Sequence, residues 1–413
     1  MAGSARKSQL NPVDPENLLD PIPLYKELRE NAPVFWSDAV QAWLITRHQD
    51  VTNAFRDSRL SADRTRFLEH QLRLTGLGPD TIRDFIEAIR PQMVNKDGAE
   101  HLRLRRHASQ SFTPQGLDTW RPVIHRAMDQ LLDRVQTRGR MDLVTEVSYQ
   151  LPPRVIAEFL GVPAEDRERF QSWAQPIALF GSPTVGMDMA TVARQGNEAI
   201  RNFHAYLTSL LDERRRNPGT DMISRMIHFQ EGGGMTPEEV VANANLILMA
   251  GHLTTTDQLS NGVHDLLTHP DQLQRLRENP LLIKSALEEI MRFHPAVPYI
   301  HRIAGETFHL HGCTIRKGDV VFLGMAAANR DPTVFPDPDR FDITRDHIHQ
   351  KHLSFAFGPH HCLGAGLARR EIEIAIELLL QRMPGLRLDE EQLPRIKCSS
   401  MLYRGLESLH IRW

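Results

Sequence analysis

A single helical stretch in the middle of the chain constrains the fold more than any other feature. It begins at "TPEE", where Thr236 suits the N-cap, Pro237 the first turn, and Glu239 completes a capping box. No stop signal follows until "THP" at 268–270, so the helix spans about 31 residues and roughly 46 Å. Outside a coiled coil, a helix of this length must run through the middle of a large body. The sequence therefore predicts a helical fold assembled around this one element.

Helical patterns dominate the rest of the chain, and strand-like segments are few. Residues 34–47, "VFWSDAVQAWLITR", indicate a strand, a turn and a second strand. Residues 164–177 and 197–216 have the pattern of amphipathic helices. Between residues 306 and 344, Pro and Gly separate short strand-like pieces before a last long helix. We predict a mainly α fold with a minor β region, in a single domain spanning residues 1–413 with about the first 10–15 residues flexible.

The composition excludes several classes of protein. The net charge of −3 and the pI of about 6.7 give no sign of binding to nucleic acid or to an anionic membrane. The N-terminus lacks the apolar core of a signal peptide, and the longest apolar run, residues 246–253, is too short to span a membrane. The three cysteines lack the spacing of a disulfide framework. We therefore expect a cytoplasmic protein.

The segment Phe355–Gly364, "FAFGPHHCLG", places Cys362 where a glycine-containing loop leads into a helix. Backbone N–H groups and the helix dipole at such a position lower the pKa of a thiol, so the sequence predicts a thiolate. Gly358 and Gly364 would let a flat ligand approach the backbone. The residues alone leave several roles open for Cys362. It could be a packing residue, a catalytic nucleophile, the axial ligand of a large cofactor, or a zinc ligand together with His347, His349, His352, His360 and His361.

This loop resembles the haem-binding loop of the cytochrome P450 family, Phe-Gly-x-Gly-x-His-x-Cys-x-Gly. Ala356 stands where glycine is usual. The resemblance implies that Cys362 binds the iron of haem b as a thiolate, whose electron donation favours O–O cleavage. It also implies the family's fold, a triangular helical prism with haem between the central helix and the cysteine-bearing helix. The matching positions are Phe355, Gly358, His360, Cys362 and Gly364.

Further motifs extend the resemblance over nearly the whole chain. Glu289 and Arg292 match the family's Glu-x-x-Arg pair, and Arg340 in "PDRF" resembles the third member of its ion network. The resemblance implies that this network holds the core behind the haem. It also implies a set of residues that bind the haem propionates, namely His101, Arg105, Arg302 and His360.

The central helix carries "LMAGHLTTTDQ", which resembles the family pattern Ala/Gly-Gly-x-Asp/Glu-Thr-Thr. Ala250, Gly251 and Thr254 match, but Leu253 occupies the position of the acid. By resemblance, Thr254 is catalytic, while Gly251 and Ala250 leave space for oxygen above the iron. Three successive threonines and a glycine oppose helix propensity, which indicates a functional reason for them.

The substitution at Leu253 leaves the reaction open, because a general acid or base typically contributes roughly 10²–10⁴-fold. Thr254 with ordered water, groups on the substrate, or a relay through Asp257 and His252 would each compensate. Alternatively, the enzyme is a peroxygenase or uses nitric oxide, and so does not need two protons delivered to dioxygen. A third hypothesis is a non-catalytic protein that binds haem or another ligand.

The resemblance further implies a hydrophobic small-molecule substrate from secondary metabolism, such as a polyketide, macrolide, terpenoid or peptide, either free or tethered to a carrier protein. We expect a monomer that receives electrons from a separate ferredoxin and its reductase. Basic residues that could meet this partner are Arg103, Arg106, Arg369 and Arg370. The substrate pocket is expected between segments 67–94 and 180–189, with walls formed by Leu246, Ala250, Val297, Tyr299, Ile300, Met401 and Leu402.

Overall fold

The computed structural model describes residues 10–68, 78–180, 188–229, 234–346, 348 and 351–413. Most of these residues are helical, which confirms the predicted fold class. In chain order the helices are α1 (Pro15–Leu19), α2 (Ile22–Asn31), α3 (His48–Ala54), α4 (Arg83–Ile89), α5 (Gly98–Ser109), α6 (Pro114–Asp118), α7 (Arg121–Asp133), α8 (Leu151–Leu160), α9 (Arg167–Phe180), α10 (Met189–Arg216), α11 (Met222–His228), α12 (Pro237–Thr268), α13 (Pro270–Glu278), α14 (Ile283–Phe293), α15 (Met325–Ala328) and α16 (Ala365–Arg382).

Helix α12 is the predicted central helix. The Thr236 hydroxyl accepts a hydrogen bond from the Glu239 amide at 3.2 Å, and the Glu239 carboxylate accepts one from the Thr236 amide at 2.8 Å, so the capping box forms as expected. The helix ends before Pro270, which cannot continue it. Most of its side chains are buried, and α8, α9, α10, α14 and α16 all pack against it.

The β region is small and lies beside the helices. The main sheet has the order β1-β2-β8-β5-β3, with β2 and β8 parallel and the other neighbours antiparallel. The predicted strand, turn and strand near the N-terminus are β1 and β2, paired in register from Val34 with Ile45 to Ser37 with Ala42. In chain order the strands are β1 (Val34–Ser37), β2 (Ala42–Ile45), β3 (Leu60–Ser61), β4 (Arg140–Asp142), β5 (Tyr299–Ala304), β6 (Phe308–Leu310), β7 (Cys313–Ile315), β8 (Val320–Gly324), β9 (Arg387–Leu388), β10 (Arg395–Ile396), β11 (Leu406–Ser408) and β12 (His410–Arg412).

Two helices differ from their predicted bounds. The stretch predicted from residue 164 begins as a 3-10 turn at Ala164–Asp166, and α9 follows it to Phe180. Helix α10 begins eight residues before the predicted start at residue 197, because Asp188 caps it by accepting a hydrogen bond from the Ala190 amide. These differences lie at helix ends, where the apolar periodicity carries little information.

The hydrophobic core is divided between the helices and the sheet. The largest cluster surrounds α12 and includes residues of α7, α8, α10, α14 and α16, while two smaller clusters lie on the main sheet and its flanking helices. Between the helical cluster and the sheet, a cavity remains that α12, the cysteine loop and β5 border together. The fold thus brings the sequence motifs to one enclosed space.

Candidate active site

The cavity has a volume of about 340 Å³ and is lined mainly by apolar side chains. Helix α12 forms one wall, and the loop with Cys362 and the first turns of α16 form another. Strand β5 and residues 402–403 supply a third wall, and α5 supplies His101 and Arg105 at the edge. Sequence motifs that are up to about 260 residues apart therefore face the same space.

The cysteine loop is held by its own backbone. The Cys362 amide donates to the Phe355 carbonyl at 2.8 Å, which closes the loop. Gly358 has a φ of 72°, and a Cβ there would lie 3.1 Å from the Phe55 carbonyl oxygen, so this glycine serves the protein's own packing. A Cβ added to Gly364 would meet no atom within 4 Å, although the residue lines the cavity. Gly364 is therefore the glycine whose missing side chain leaves room for a ligand.

The Cys362 thiol lines the cavity and is exposed to its space in the protein alone, so its ionisation depends on what occupies that space. Burial raises the pKa of Cys362, although hydrogen bonds from the Gly364 and Ala365 amides and the charges of Arg105 and Arg369 act to lower it. The helix N-terminus acts in the predicted direction but does not outweigh desolvation. A bound metal cation would displace the thiol proton.

Two of the alternative roles for Cys362 find no support in the described residues. No histidine in the described part of the chain hydrogen bonds to the Cys362 sulfur, as a catalytic dyad would require. Across the described ranges, no three His, Cys, Asp or Glu side chains gather as metal ligands. His347 and His349, which the zinc interpretation invoked, lie outside the described residues.

Histidines and arginines meet at the edge of the cavity, as the propionate prediction requires. The rings of His101 and His360 stack with centroids 3.9 Å apart. Burial and the nearby His360 and Arg105 lower the pKa of His101 to about 4, so the ring is neutral near pH 7. His360 Nε2 lies 3.7 Å from an Asp97 carboxylate oxygen. Arg105 lines the cavity directly.

Arg302 lies buried behind this edge with part of its hydrogen-bonding capacity unused. One guanidinium nitrogen donates to the His301 carbonyl at 2.8 Å, but Nη2 has no partner among the described residues. Burial lowers the pKa of Arg302 to about 10, and the neighbouring charge of Arg64 adds to this effect. Arg64, which lines the cavity, was not predicted from the sequence, since nothing in "SADRTRF" sets it apart from a surface arginine. A buried guanidinium that keeps an unused N–H group is suited to an anionic ligand.

The α12 wall of the cavity carries the residues that the oxygen-binding motif predicted. Ala250, Leu253 and Thr254 line the cavity, and the Thr254 hydroxyl donates to the Ala250 carbonyl at 2.5 Å. Gly251 also lines it, but a Cβ there would lie 2.8 Å from Ile156 Cδ1. The glycine therefore allows α8 to pack closely against α12, in addition to any space it leaves for a ligand.

The relay predicted through Asp257 and His252 does not face the cavity. Asp257 is buried in an ion pair with Lys397, at 2.5 Å, and its carboxylate packs on Gly405. His252 is buried, with its ring 4.9 Å from that of Tyr149. Neither residue is among the described residues that line the cavity. His252 lies about 160° around the helix axis from Thr254. Asp257 lies within about 60° of it but one turn further on, where its carboxylate is held by Lys397.

Most of the predicted substrate-contacting residues line the cavity, namely Leu246, Ala250, Val297, Tyr299, Ile300 and Leu402. Met401 was predicted as well, but it packs in a hydrophobic cluster with Tyr25 and faces a smaller neighbouring cavity. Tyr403, two positions on, lines the main cavity in its place. Of the predicted flanking segments, residues 69–77 and 181–187 lie outside the described residues.

Behind the cysteine loop, Glu289 and Arg292 form the predicted buried ion pair. Nε and Nη2 of Arg292 each donate to a carboxylate oxygen of Glu289 at 2.8 Å, and both side chains are fully buried. The third member of the network is Arg345, whose Nε lies 3.1 Å from Glu289, and the prediction of Arg340 was wrong. The Arg340 side chain is 60% exposed and lies 3.8 Å from Asp342, while its backbone carbonyl accepts from Arg292 and Arg345. Pattern matching located the right loop but not the side chain that turns inward.

The arginines proposed for an electron-donating partner are largely occupied within the chain. Arg103 pairs with Glu239, Arg369 with Glu288, and Arg370 with Asp118. Arg106 is exposed. Three of the four charges that the predicted partner would meet are therefore already partly neutralised.

Comparison with known proteins agrees with this architecture. The family model "Cytochrome P450" matches residues 86–405. The chain is 38% identical over 413 residues to cytochrome P450 CYP107DY1 of Priestia megaterium, covering 96% of this chain and 97% of that protein. A crystal structure of P450BioI in complex with hexadec-9Z-enoic acid ligated acyl carrier protein matches with a TM-score of 0.87 and 34% identity, covering 96% and 99% of the two chains. The polyketide synthase cytochrome P450 PksS from Bacillus subtilis matches with a TM-score of 0.85 and 32% identity, covering 97% and 99%.

The fold and the site define a haem-thiolate enzyme. The chain belongs to the cytochrome P450 family and is a P450 monooxygenase. Among the described residues, none of the helices has the length and apolar character needed to cross a membrane.

The residues present fit the haem-thiolate group that this family uses. Gly364 leaves open space beside Cys362, and Arg302 keeps a buried, unpaired N–H group for an anion such as a propionate. His101, Arg105 and His360 stand at the same edge of the cavity. The open space at Gly364 and the unused N–H group of Arg302 serve no contact among the described residues, which is the reason they indicate a bound cofactor.

Proposed function

We propose that this chain is a single-domain, monomeric cytoplasmic monooxygenase that hydroxylates or epoxidises a hydrophobic small molecule of secondary metabolism. In this proposal haem b binds through Cys362, and a separate ferredoxin delivers the electrons. One observation carries the proposal: a single cavity holds the Cys362 thiol, the Thr254 hydroxyl and a largely apolar wall. A cavity that only carried a ligand would not require the Cys362 thiol and the Thr254 hydroxyl.

Each part of the cavity has its own task in this proposal. Haem b, when bound, supplies the electron-rich iron at which dioxygen is cleaved. Arg105 and Arg302 hold the propionates by charge, while the neutral His101 donates a hydrogen bond. The Thr254 hydroxyl, anchored on the Ala250 carbonyl, holds a proton at Oγ1 beside the reacting face.

The walls above this centre select an apolar substrate. Leu246, Val297, Ile300 and Leu402 present hydrocarbon surface, so substrate binding rests on desolvation and on few polar contacts. The phenol oxygen of Tyr299 is buried and has no hydrogen-bond partner among the described residues. One structural relative binds a fatty acyl group on acyl carrier protein, and another is associated with a polyketide synthase. An acyl or polyketide chain, free or carrier-bound, is therefore the favoured substrate class.

A second candidate function follows from Leu253, which lines the cavity where the family usually places an acid. A peroxide brings both oxygen atoms already reduced, so an enzyme driven by peroxide does not need that acid. A nitric-oxide-using reaction avoids the same requirement. Comparing turnover with reduced ferredoxin, with peroxide and with nitric oxide separates these reactions.

The experiment that tests the proposed function is a haem spin-state titration of the holoenzyme. The panel contains hydrophobic acyl and polyketide compounds, each free and tethered to a carrier protein. We expect a low-spin to high-spin shift followed by oxygenated product with ferredoxin, its reductase and dioxygen. A shift only with tethered compounds identifies a carrier-bound substrate. Spectral binding without product under reductant, peroxide or nitric oxide contradicts an enzymatic role.

A further inference from the structure

Arg64 is a cation of the cavity wall that the proposed haem contacts do not use. It stands in the first turn of a helix that begins at residue 64, and it lines the cavity. Its backbone amide donates to the Asn95 side chain at 3.3 Å. Its guanidinium, in contrast, makes no hydrogen bond or ion pair with any other residue in the described ranges. Burial lowers the pKa of Arg64, but a guanidinium stays charged near pH 7 even so.

The local structure fixes the helix that carries Arg64. Asp63 caps it by accepting hydrogen bonds from the Thr65 amide at 3.0 Å and from the Thr65 hydroxyl at 2.6 Å. Phe67, one turn after Arg64, stacks on the His301 ring with centroids 3.8 Å apart. The carboxylate nearest in sequence is therefore occupied by the helix itself, and the helix is packed against β5.

The described lining of the cavity offers Arg64 no negative charge. Among the described residues that line it, Glu371 on α16 is the only acid. Burial raises the pKa of Glu371 well above its ordinary range, so its carboxyl is neutral near pH 7. Asp97 acts on Arg302 but is not among the charges that act on Arg64. The group that does act on Arg64 is the Tyr403 phenol, which is neutral near pH 7 because burial raises its pKa.

Binding of haem would not remove this imbalance of charge. Ferric iron, the porphyrin dianion and a cysteine thiolate together carry no net charge, so the two propionates are the net charge of the group. Arg105 and Arg302 match the two propionates one to one, with the neutral His101 at the same edge. Arg64 is then a third cation without a counter-ion. A charge in such a place is costly until an anion pairs with it.

Two further polar groups of the cavity wall are unused. Nε2 of Gln92 and Nε2 of His301 belong to side chains that are 3% and 7% exposed, and neither atom has a partner among the described residues. The Gln92 amide nitrogen is only a donor, so it suits an acceptor such as a carboxylate oxygen. Most of the remaining lining is apolar. The cavity thus fits a molecule with an apolar body and an anionic group.

We infer that Arg64 binds a carboxylate of the substrate, so that the enzyme takes an apolar free acid in preference to a neutral or carrier-bound form of the same chain. The inference deepens the proposed function and rests on it. A guanidinium can donate two parallel hydrogen bonds to a carboxylate. Tethering an acyl chain to a carrier protein converts its carboxylate into an uncharged thioester, which Arg64 would not recognise.

Iron-binding probes test the inference without knowledge of the native substrate. Each probe is a fatty acid that carries an imidazole at the far end of its chain, in several chain lengths, and each is paired with its primary amide. The imidazole binds haem iron in every probe, and the Soret shift of the holoenzyme gives the dissociation constant. At the best chain length, we expect the acid to bind about 10-fold to 100-fold more tightly than the amide. Equal affinities at every length overturn the inference.

Variants assign this preference to one side chain. Arg64→Met should abolish the preference for the acid and leave the affinity for the amide unchanged, while Arg64→Lys should retain part of it because the charge remains. Arg66→Met is the matched control, since the Arg66 side chain is 58% exposed on the same helix, and it should behave as wild type. A preference for the acid that persists in Arg64→Met overturns the inference.

Haem titration of the apoprotein separates a substrate contact from a cofactor contact. Arg64→Met should bind haem as tightly as wild type, whereas Arg302→Met, which removes a propionate contact, should bind it more weakly. Equal losses of haem affinity in the two variants would assign Arg64 to a propionate and overturn the inference. If acids bind through Arg64 but no fatty acid or polyketide acid yields an oxygenated product, the proposed function fails and the carboxylate site stands.

Discussion

Buried polar groups on the two sides of the cysteine loop differ in how completely they are satisfied. Behind the loop, Arg292 donates to Glu289 and to three backbone carbonyls, and Arg345 completes the carboxylate's contacts. Around the cavity, Arg302 Nη2, Glu371 Oε2 and the Tyr299 hydroxyl have no partner among the described residues. The first arrangement is complete within the protein, whereas the second leaves hydrogen-bonding groups free for ligands or water.

Buried polar groups that are paired within the protein and buried polar groups that are left unpaired affect stability in different ways. A buried ion pair is costly to break because the remaining group is left as an unpaired charge out of contact with water. An unsatisfied buried group carries its cost already, and a ligand or water that pairs with it removes that cost. Substitutions on the two sides should therefore change stability in opposite directions before the cofactor binds.

The largest effect is expected from Arg292→Leu. Removing it leaves Glu289 with a single cationic partner in a fully buried site, so the free energy of unfolding should fall by about 3–5 kcal/mol. Urea denaturation of the purified protein measures this. Arg340→Leu is the matched control, because its side chain is exposed and should cost less than about 0.5 kcal/mol. A larger loss for Arg340→Leu would restore Arg340 as the network's third member.

Arg302→Met tests the cavity side. In the apoprotein it removes a buried cation whose Nη2 lacks a partner among the described residues, so we expect equal or higher stability. Haem affinity should fall by about 10-fold to 100-fold, since a hydrogen bond to a charged group is worth about 1.5–3 kcal/mol. Haem titration and apoprotein melting measure the two quantities. Arg330→Met, which breaks a pair with Asp339 at 2.7 Å, should destabilise the apoprotein instead, and equal losses in both variants would refute the comparison.

The pH dependence of stability tests Glu288, which joins α14 to α16. Burial opposes ionisation, but hydrogen bonds from His352 and Arg369 lower the pKa of Glu288 to about 2. A glutamate in the unfolded chain has a pKa of about 4.3. The stabilisation from ionised Glu288 is therefore complete above that pH and is lost as the pH falls towards 2. The loss amounts to at most about 3 kcal/mol. Urea unfolding at several acidic pH values should show a shallower decline for Glu288→Gln, and parallel declines would contradict the assignment.

The smallest effect concerns Ala356, which has a φ of 59° where the family usually has glycine. The left-handed conformation costs an alanine about 1–2 kcal/mol, partly offset by the entropy of glycine. Ala356→Gly should therefore raise the free energy of unfolding by about 0.5–1 kcal/mol. Ala375→Gly, inside α16, should lower it by about 1 kcal/mol or more. Destabilisation by Ala356→Gly would mean that its buried methyl group matters more than its backbone.

Local patterns in the sequence predicted much of this molecule. The capping box, the proline after Thr268 and the apolar periodicity define α12, because each acts within a few residues. The loop around Cys362 and the histidines and arginines at the edge of the cavity were likewise located by motif. Long-range packing decided what the patterns missed. The inward turn of Arg345, the orientation of Met401 and the net effect of burial on the Cys362 pKa depend on neighbours distant in sequence.

The same reasoning explains why Glu371 escaped the sequence analysis. On α16 it looks like any charged residue of an amphipathic helix, and Glu373 and Glu377 share its spacing. Only the packed structure shows that it is buried at the cavity wall while the other two are partly exposed. The burial of an acid on a helix carries no local signal when it depends on a cavity formed by other elements.

The most direct test of the account is the carbon monoxide difference spectrum of the reduced holoenzyme. We predict the red-shifted Soret band of thiolate ligation in the wild type and in Cys313→Ser and Cys398→Ser, whose thiols lie outside the cavity lining. Cys362→His should retain haem and lose this band. A thiolate-type band that persists in Cys362→His, or that is missing from haem-loaded wild type, would contradict Cys362 as the ligand.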